Sequence, residues 1–409
     1  MIAGEDPELD LVLVGATGFV GRLTARHLAE HAPEDVRIGL AGRSGQRLEA
    51  LRPTLPKRAQ SWPLLTVDVT DPAQAAELAD RTRVVATTAG PYLRYGLALV
   101  QACAEAGTHY ADLTGETLFV RRSIDLAHRT AQLSGARIVH SCGFDSVPSD
   151  LGVGLCAAQA AAEGNGELAE VVLHVRTARG GVSGGTIDSL RQQILETRAD
   201  PSLRRLVGSA QALLDEAPAP FGRTPGRGGS GVGLDPTSGR WHAPFVMGGY
   251  NRQVVMRSAA RLGYGSKLRY REVVDTGRGP LGRVRALATA AGSTALMVGM
   301  WLPPTRVALD LVLPDPGQGP SDRVRARGRF VLEIDAETTS EAHYRTRVAV
   351  DKDPGYGATA VMLGEAALTL TVPDRRAESG VLTPMIALGP PYAERLRQQG
   401  FTISTRRLD

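Results

Sequence analysis

One turn constrains this chain more than any other feature. Gly15-Ala16-Thr17-Gly18-Phe19-Val20-Gly21 stands between an apolar run, Leu11 to Val14, and a stretch of helical spacing from Phe19 to His31. A glycine-rich turn with a strand before it and a helix after it is the setting in which a nucleotide pyrophosphate is held. Gly15 and Gly18 carry no Cβ, so the turn can tighten and the backbone can approach a phosphate. Gly21 lets the helix lie close to the sheet. The free N–H groups of the first turn, at the positive end of the helix dipole, then face the phosphate charge. Thr17, Phe19 and Val20 belong to the same cradle. The turn therefore predicts dinucleotide binding.

Downstream, the chain keeps the rhythm such a turn requires. Apolar runs at Val36–Ala41, Leu64–Val67, Val84–Thr87, Tyr110–Leu113 and Ile138–His140 read as strands. Helical segments at Arg47–Leu51, Pro72–Leu78, Gly96–Ala106 and Leu118–Ser134 alternate with them. Strand and helix in alternation imply right-handed crossovers and a doubly wound parallel sheet. The fold class is thus α/β, an N-terminal Rossmann sheet over residues 1–150. The pattern then changes. Val171–Thr177, Gly328–Ile334 and His343–Val350 alternate in polarity, as antiparallel strands with one covered face do. Residues 151–409 are expected to form an α+β substrate or oligomerisation domain with a mainly antiparallel sheet. Helices are read at Thr186–Thr197 and Ala358–Leu370, and those near 356–372 and 391–399 are expected to pack back on the Rossmann domain. Arg223–Gly233 reads as a loop.

Cofactor choice rests on the end of the second strand. An acid there would hold the ribose 2′-hydroxyl of NAD. Leu40-Ala41-Gly42-Arg43-Ser44 offers none; Arg43 can pair with a 2′-phosphate and Ser44 can donate to it. NADP(H) is the expected cofactor. Asp68, closing the third strand, can accept from the adenine amino group or cap the following helix, although Asp71 is the better cap. Ala89, Gly90 and Pro91 follow the fourth strand, where small residues let the nicotinamide half pass over the backbone. Tyr92 is a candidate proton donor there. After the sixth strand, Ser141 to Asp150 packs small, polar and acidic residues into the same crevice; Asp145 is the candidate acid or relay group. Ser146 or Ser149 is expected to cap the helix that Pro148 begins, and Cys142 lacks a visible base. His27 and His31, four apart on one helix, read as a surface pair, and no metal site is expected.

Composition excludes other classes. A formal charge of +4 is spread as 47 basic among 43 acidic residues, without a run of five or six like charges, so nucleic-acid binding is not expected. Three cysteines without a C-x-x-C pair match a reducing compartment. The acidic start of the chain does not read as a signal peptide, which makes cytoplasm the expected location. Ala286–Pro304 carries no charge over about the length of a spanning helix. Its Ala, Gly, Ser and Thr content favours a buried or lipid-contacting helix over a span, with peripheral contact at the inner face of the plasma membrane as one expectation.

Taken together these residues resemble the saccharopine dehydrogenase-like oxidoreductases. The resemblance is carried by the turn at 15–21, AGR at 41–43, TAGPY at 88–92, ADLTGE at 111–116 and SCGFDSVPSDLG at 141–152. SGGT at 183–186, DPGYG at 353–357 and SGVLTP at 379–384 extend it over nearly the whole chain. Within that family the chain is most similar to the trans-acting enoyl reductases, which work beside polyketide synthases that make lipid chains. The resemblance implies hydride transfer from NADPH to the β-carbon of a carrier-bound α,β-unsaturated acyl thioester. Tyr92, Asp145 and Tyr356 are then the candidates for proton delivery, and Ser183–Thr186 for backbone donors in the substrate cleft. Reduction of an imine or amino-acid adduct, or a non-catalytic NADP-binding protein docked on lipid or on a synthase, remain alternatives.

Overall fold

The computed structural model describes residues 7–180, 184–215, 231–236, 238–302, 305, 322–325, 327–374 and 377–408. Two seven-stranded sheets organise it. The first half contains β1 (Leu11–Val14), α1 (Phe19–His31), β2 (Ile38–Gly42), α2 (Gly45–Leu51), β3 (Leu64–Thr66), α3 (Pro72–Asp80) and β4 (Val84–Thr87). It continues with α4 (Tyr92–Tyr95), α5 (Leu97–Ala106), β5 (His109–Ala111), α6 (Thr117–Ser134) and β6 (Arg137–Val139). With β13 (Gly380–Leu382) from the end of the chain at its edge, the strands run β13-β6-β5-β4-β1-β2-β3 with every pairing parallel. β1, β2 and β4 are buried at every position, as a sheet covered by helices on both faces demands.

The second half comprises α7 (Val147–Ala162), β7 (Leu168–Arg179), α8 (Gly184–Ala199), α9 (Pro201–Val207), β8 (Gly233–Asp235), β9 (Arg240–Pro244) and α10 (Gly248–Leu262). Then come β10 (Arg269–Arg278), α11 (Gly279–Trp301), α12 (Asp322–Arg325), β11 (Arg329–Thr338), β12 (His343–Val350) and α13 (Thr359–Thr371). The chain ends with β13 (Gly380–Leu382), α14 (Pro384–Gln398) and β14 (Thr402–Arg407). The second sheet runs β14-β12-β11-β7-β10-β9-β8 and is antiparallel except between β7 and β10. Alternation along β11 points Phe330, Leu332, Ile334 and Ala336 toward the core, and Glu333 and Asp335 lie on the opposite face.

α7 is the wedge between the sheets. It packs on β11, β12 and β14 from one side and on α14 from the other. Gly152 and Gly154 make this approach possible, since a Cβ on Gly152 would run into the Ile334 side chain. Phe144, just ahead of α7, meets Phe330 of the second sheet with ring centroids 4.8 Å apart. The chain also returns: β13 pairs with β6 in the first sheet, and α13 packs on α1, β4 and β5.

Two sequence-based expectations are corrected by this architecture, and two elements had carried none. His27 is not on the surface; it is buried on α1 and hydrogen-bonded to Glu365 of α13 at 2.8 Å, with His31 stacked on it. The apolar segment at 286–304 is not a buried helix. α11 is exposed along most of its length, with only Gly282, Ala286 and Met300 fully covered, and residues 303 and 304 lie outside the described residues. α10 and β10 carried no expectation at all, although Tyr250, Val254, Val255 and Ala259 have helical spacing. Among the described residues no helix is long and apolar enough to cross a membrane.

Candidate active site

The glycine-rich turn is built for a ligand that lies against backbone. Gly15 has φ +78, and a Cβ there would sit 2.8 Å from Thr88 Oγ1. That hydroxyl donates to the Gly15 carbonyl at 3.1 Å, so the loop after β4 braces the turn after β1. A Cβ on Gly21 would collide with the Gly15 carbonyl oxygen, which is why the third glycine is needed for α1 to lie so close. Gly18 is the N-cap of α1 without a side-chain cap, and no acid occupies the first turn. The leading N–H groups of the helix thus face the cleft with their dipole unopposed, a donor set that fits a pyrophosphate.

Around this cradle the expected cofactor residues fall at the carboxyl ends of the strands. Arg43 is exposed at the end of β2, its guanidinium 5.7 Å from the centre of the Tyr95 ring. Ser44 caps α2 by accepting from the Arg47 amide at 3.3 Å, which leaves its proton available to donate. Asp68 accepts from the backbone and hydroxyl of Thr70, which together with Arg43 hold its carboxyl below the usual range. Asp71 caps α3. Ala89, Gly90 and Pro91 follow β4, and the Ala89 amide donates to Thr87 Oγ1. Phe19 meets the edge of the Tyr356 ring at 4.7 Å and lies under the Arg325 guanidinium.

Tyr92, the sequence-based candidate for proton donor, has its hydroxyl tied to backbone. It is buried, its hydroxyl donates to the Thr87 carbonyl at 3.1 Å and accepts from the Leu113 amide at 3.2 Å. Burial first, then the Asp112 charge, push it well above the usual phenol range. Burial raises Tyr250 in the same way, so it is the partners that differ: two backbone groups for Tyr92, a serine hydroxyl for Tyr250. Tyr356 is buried beside Phe19, with its amide bound by the Asp353 carboxylate at 2.9 Å. Cys142 is buried, and desolvation raises its thiol far from reactivity. Neither Ser146 nor Ser149 caps α7: Ser146 donates to Asn251 Oδ1 at 2.9 Å and Ser149 to Glu272 at 2.7 Å. Of the SGGT motif, Ser183 and the side chains of 184–186 lie outside the described residues.

The sequence missed what the second half brings to this crevice. Tyr250, near the start of α10, reaches Ser141 at the end of β6, with the two hydroxyl oxygens 2.6 Å apart. Ser141 has φ 67, a left-handed conformation that a non-glycine residue adopts at a cost, and its amide is held by the Asp112 carboxylate at 3.0 Å. Asp112 in turn accepts from Tyr110 and pairs with His140 at 2.7 Å. Asp145 lies four residues on; among the described residues no hydrogen-bond partner reaches its carboxyl, and burial raises it to about 6. Its charge bears on both Tyr250 and Glu272. Glu116 closes the site from the side. Its buried carboxylate accepts from the Tyr92 and Leu93 amides and from Ser189 of α8, at 2.9, 2.8 and 2.6 Å. The nearest signal in the sequence was the ADLTGE run, which carries Asp112 and Glu116.

A Rossmann sheet with this turn, met after its strands by side chains of α8 and α10 from the second half, is the frame of an NADP-dependent oxidoreductase. Residues 11–139 match the saccharopine dehydrogenase NADP-binding domain family. A trans-acting enoyl reductase of Mycobacterium ulcerans is 43% identical over 418 residues, covering 98% of each chain. The protein of that name from Mycobacterium tuberculosis is 41% identical over the same span and coverage. A second Mycobacterium tuberculosis chain, under a provisional form of the name, is 45% identical over 417 residues and 98% of each chain. In fold, saccharopine dehydrogenase of Saccharomyces cerevisiae superposes with a TM-score of 0.55 at 12% identity, covering 98% of this chain and 100% of that one. The chain belongs to the saccharopine dehydrogenase-like oxidoreductases, on the branch of the trans-acting enoyl reductases.

Proposed function

We propose that the chain reduces the α,β double bond of an enoyl thioester with NADPH, acting on the intermediate of a polyketide synthase in lipid biosynthesis. The observation that carries this reading is the hydroxyl pair Tyr250–Ser141 beside the unpaired carboxyl of Asp145. When bound, NADPH supplies a hydride to the β-carbon. Negative charge then develops on the thioester oxygen, and the Tyr250 hydroxyl, backed by Ser141, donates to it. Asp145, whose carboxyl is raised to about 6 by burial, delivers the proton to the α-carbon from the fraction that holds it. Hydride and proton together saturate the bond and leave a saturated acyl thioester and NADP⁺. Tyr92, Glu116 and Tyr356 shape the walls.

Electrostatics favours a neutral substrate. The titratable groups that bear on Tyr250 are Asp112, Glu116 and Asp145, all of them acids and none a base that would pair with a carboxylate. A dicarboxylic amino-acid adduct would bring its own carboxylates against them, whereas a thioester brings none. Arg43 and Ser44 are assigned to the 2′-phosphate and Asp68 to the adenine edge. The test is NADPH oxidation by the purified chain with a crotonyl thioester of a phosphopantetheine carrier, alongside an imine, and in the reverse direction NADP⁺ reduction with saccharopine. Turnover of the thioester alone supports the reading. Turnover of the amino-acid adduct with none of the thioester overturns it.

A further inference from the structure

Just past the ends of β5 and β6 lies a buried polar network that the proposed reduction does not touch. Asp112 follows β5 and His140 follows β6, and the His140 Nδ1 sits 2.7 Å from Asp112 Oδ2. The same Oδ2 accepts from the Tyr110 hydroxyl at 3.0 Å, and Oδ1 accepts from the Thr114 and Ser141 amides, each at 3.0 Å. His140 Nε2 lies 2.8 Å from Ser123 Oγ on α6. A carboxylate taken out of water is costly unless its acceptor sites are filled, and here two donors sit on each oxygen. Aspartate, imidazole and serine in this order are also the parts of an activated nucleophile. Ser123, however, is fully buried and has no open face from which to attack.

What the network holds is one strained residue. Ser141 has φ 67, and among the described residues the other non-glycine residue with positive φ is Glu341, in the turn between β11 and β12. Ser141 lies in no such hairpin. Its backbone is pinned twice by Asp112: the carboxylate binds the Ser141 amide, and the carbonyl accepts from the Cys142 amide at 2.7 Å. Strain held this firmly belongs to a side chain that must point one way. Ser141 Oγ points at the Tyr250 hydroxyl, 2.6 Å off. α10 itself is anchored by other bonds. Asn251 accepts from Ser146 at 2.9 Å, Gln253 accepts from Thr117 at 2.7 Å, and Arg257 donates to the Val381 carbonyl at 2.6 Å. Ser141 is therefore not needed to place the helix; it sets the direction of one hydroxyl on it.

We propose, resting on the donor role of Tyr250 in thioester reduction, that Asp112 and His140 are its positioning residues. His140 holds Asp112, Asp112 holds the left-handed Ser141, and Ser141 holds the Tyr250 hydroxyl. Tyr250 has one proton to offer. For that proton to face the thioester oxygen, the Tyr250 oxygen must be the acceptor in its bond with Ser141. Ser141 Oγ–H then donates to Tyr250, and the Tyr250 O–H donates to the substrate. No proton is transferred along this chain. The network fixes which way two hydroxyls point before the hydride arrives, so the donor needs no reorientation as charge develops.

The test is a double-mutant cycle on thioester reduction, Asp112→Asn against Tyr250→Phe, with NADPH affinity as the check on folding. Asp112→Asn keeps the shape of the side chain but sets an amide N–H among donors that need an acceptor. Alone it should lower kcat about tenfold, with KM and the NADPH Kd within about twofold of the parent. In the Tyr250→Phe background the same change should cost less than about twofold, since the hydroxyl it aims is gone. His140→Gln, which unpins Oδ2 and leaves the Oδ1 bonds in place, should show the same pattern at about threefold. It carries the test if Asp112→Asn does not fold. A loss of equal size in both backgrounds overturns the proposal, because a change that merely loosens the fold is blind to the Tyr250 hydroxyl. So does a kcat that neither variant lowers. A Tyr250→Phe variant as active as the parent overturns the clamp together with the donor role. A parent chain that turns over no thioester overturns the reduction on which both rest.

Discussion

The two sheets solve opposite problems. In the first, strands of three to five residues lie fully parallel, and the cofactor cradle is made of backbone: a left-handed Gly15, an uncapped helix start, a Gly21 that admits no Cβ. In the second, strands run to twelve residues and one face is polar, laced by Arg176 with Asp275 at 3.0 Å and with Glu333 at 2.9 Å. What this half gives to the site is side chains. Tyr250 meets Ser141 across 109 residues of sequence and Glu272 meets Ser149 across 123. A backbone-built site needs only local spacing, while a side-chain-built site needs the tertiary fold. Changes in the first half should therefore alter cofactor affinity, and changes in the second the chemical step.

The strongest challenge to that division comes from Asp145. Asp145→Asn should lower kcat/KM by about a thousandfold, the scale of a general acid, with NADPH affinity unmoved in a fluorescence titration. In the parent chain kcat/KM should fall as pH rises through about 6, and the variant should lose that limb. Stability should shift in the same sense. A carboxyl raised from 3.8 to about 6 by burial keeps the folded state more protonated, so its contribution is full below pH 4 and lost as pH rises through about 6. Asp145→Asn should thus melt higher than the parent at pH 8 and not at pH 4. A limb that rises with pH would assign the carboxylate form to the step instead.

Tyr250→Phe should lower kcat by about a hundredfold, the size of one lost donor to a developing oxyanion. Cofactor binding should hold, and Ser141→Ala should give a smaller loss of the same kind. If Tyr250→Phe weakened NADPH binding as much as turnover, the division between the halves would fail. On the other side, Gly21→Ala forces α1 away from the Gly15 carbonyl and should raise the NADPH Kd by about thirtyfold, about 2 kcal/mol of overpacking. Arg43→Ala should cost about tenfold in NADPH affinity and leave NADH unchanged, if the guanidinium is the group that meets the 2′-phosphate as proposed.

Legibility in the sequence divides along the same line. The strands β1, β2 and β4, the turn at 15–21 and the missing acid after β2 are written in consecutive residues, so period and turn chemistry expose them. Tyr92 stands after β4 where a ligand residue stands, and only the fold shows its hydroxyl bound to the Thr87 carbonyl and the Leu113 amide. His27 misled because its partner Glu365 lies 338 residues away. Ser146 and Ser149 stood where caps stand, yet Asn251 and Glu272, carried by elements that had not been read, claimed both hydroxyls. The parallel register of β7 and β10 within an otherwise antiparallel sheet had no local signal either.

The smallest effect is expected on the polar face of the second sheet. Glu333 accepts from Arg176 at 2.9 Å and from Arg347 at 3.0 Å. Burial alone would raise its carboxyl, but the Arg176 hydrogen bond and the charges of Arg176, Arg345 and Arg347 outweigh it and hold the group below 4.5. A carboxylate lowered in this way stabilises the fold above its unfolded value, and the contribution is lost as pH falls through the folded one. The pairs are partly open to solvent, so Glu333→Gln should cost only about 1 kcal/mol at pH 7 by urea denaturation. Below pH 4 the difference from the parent should shrink. Neither NADPH affinity nor kcat should move, since the polar face lies opposite the one that packs on α7. A loss of turnover in Glu333→Gln would mean that this face, too, belongs to the substrate side.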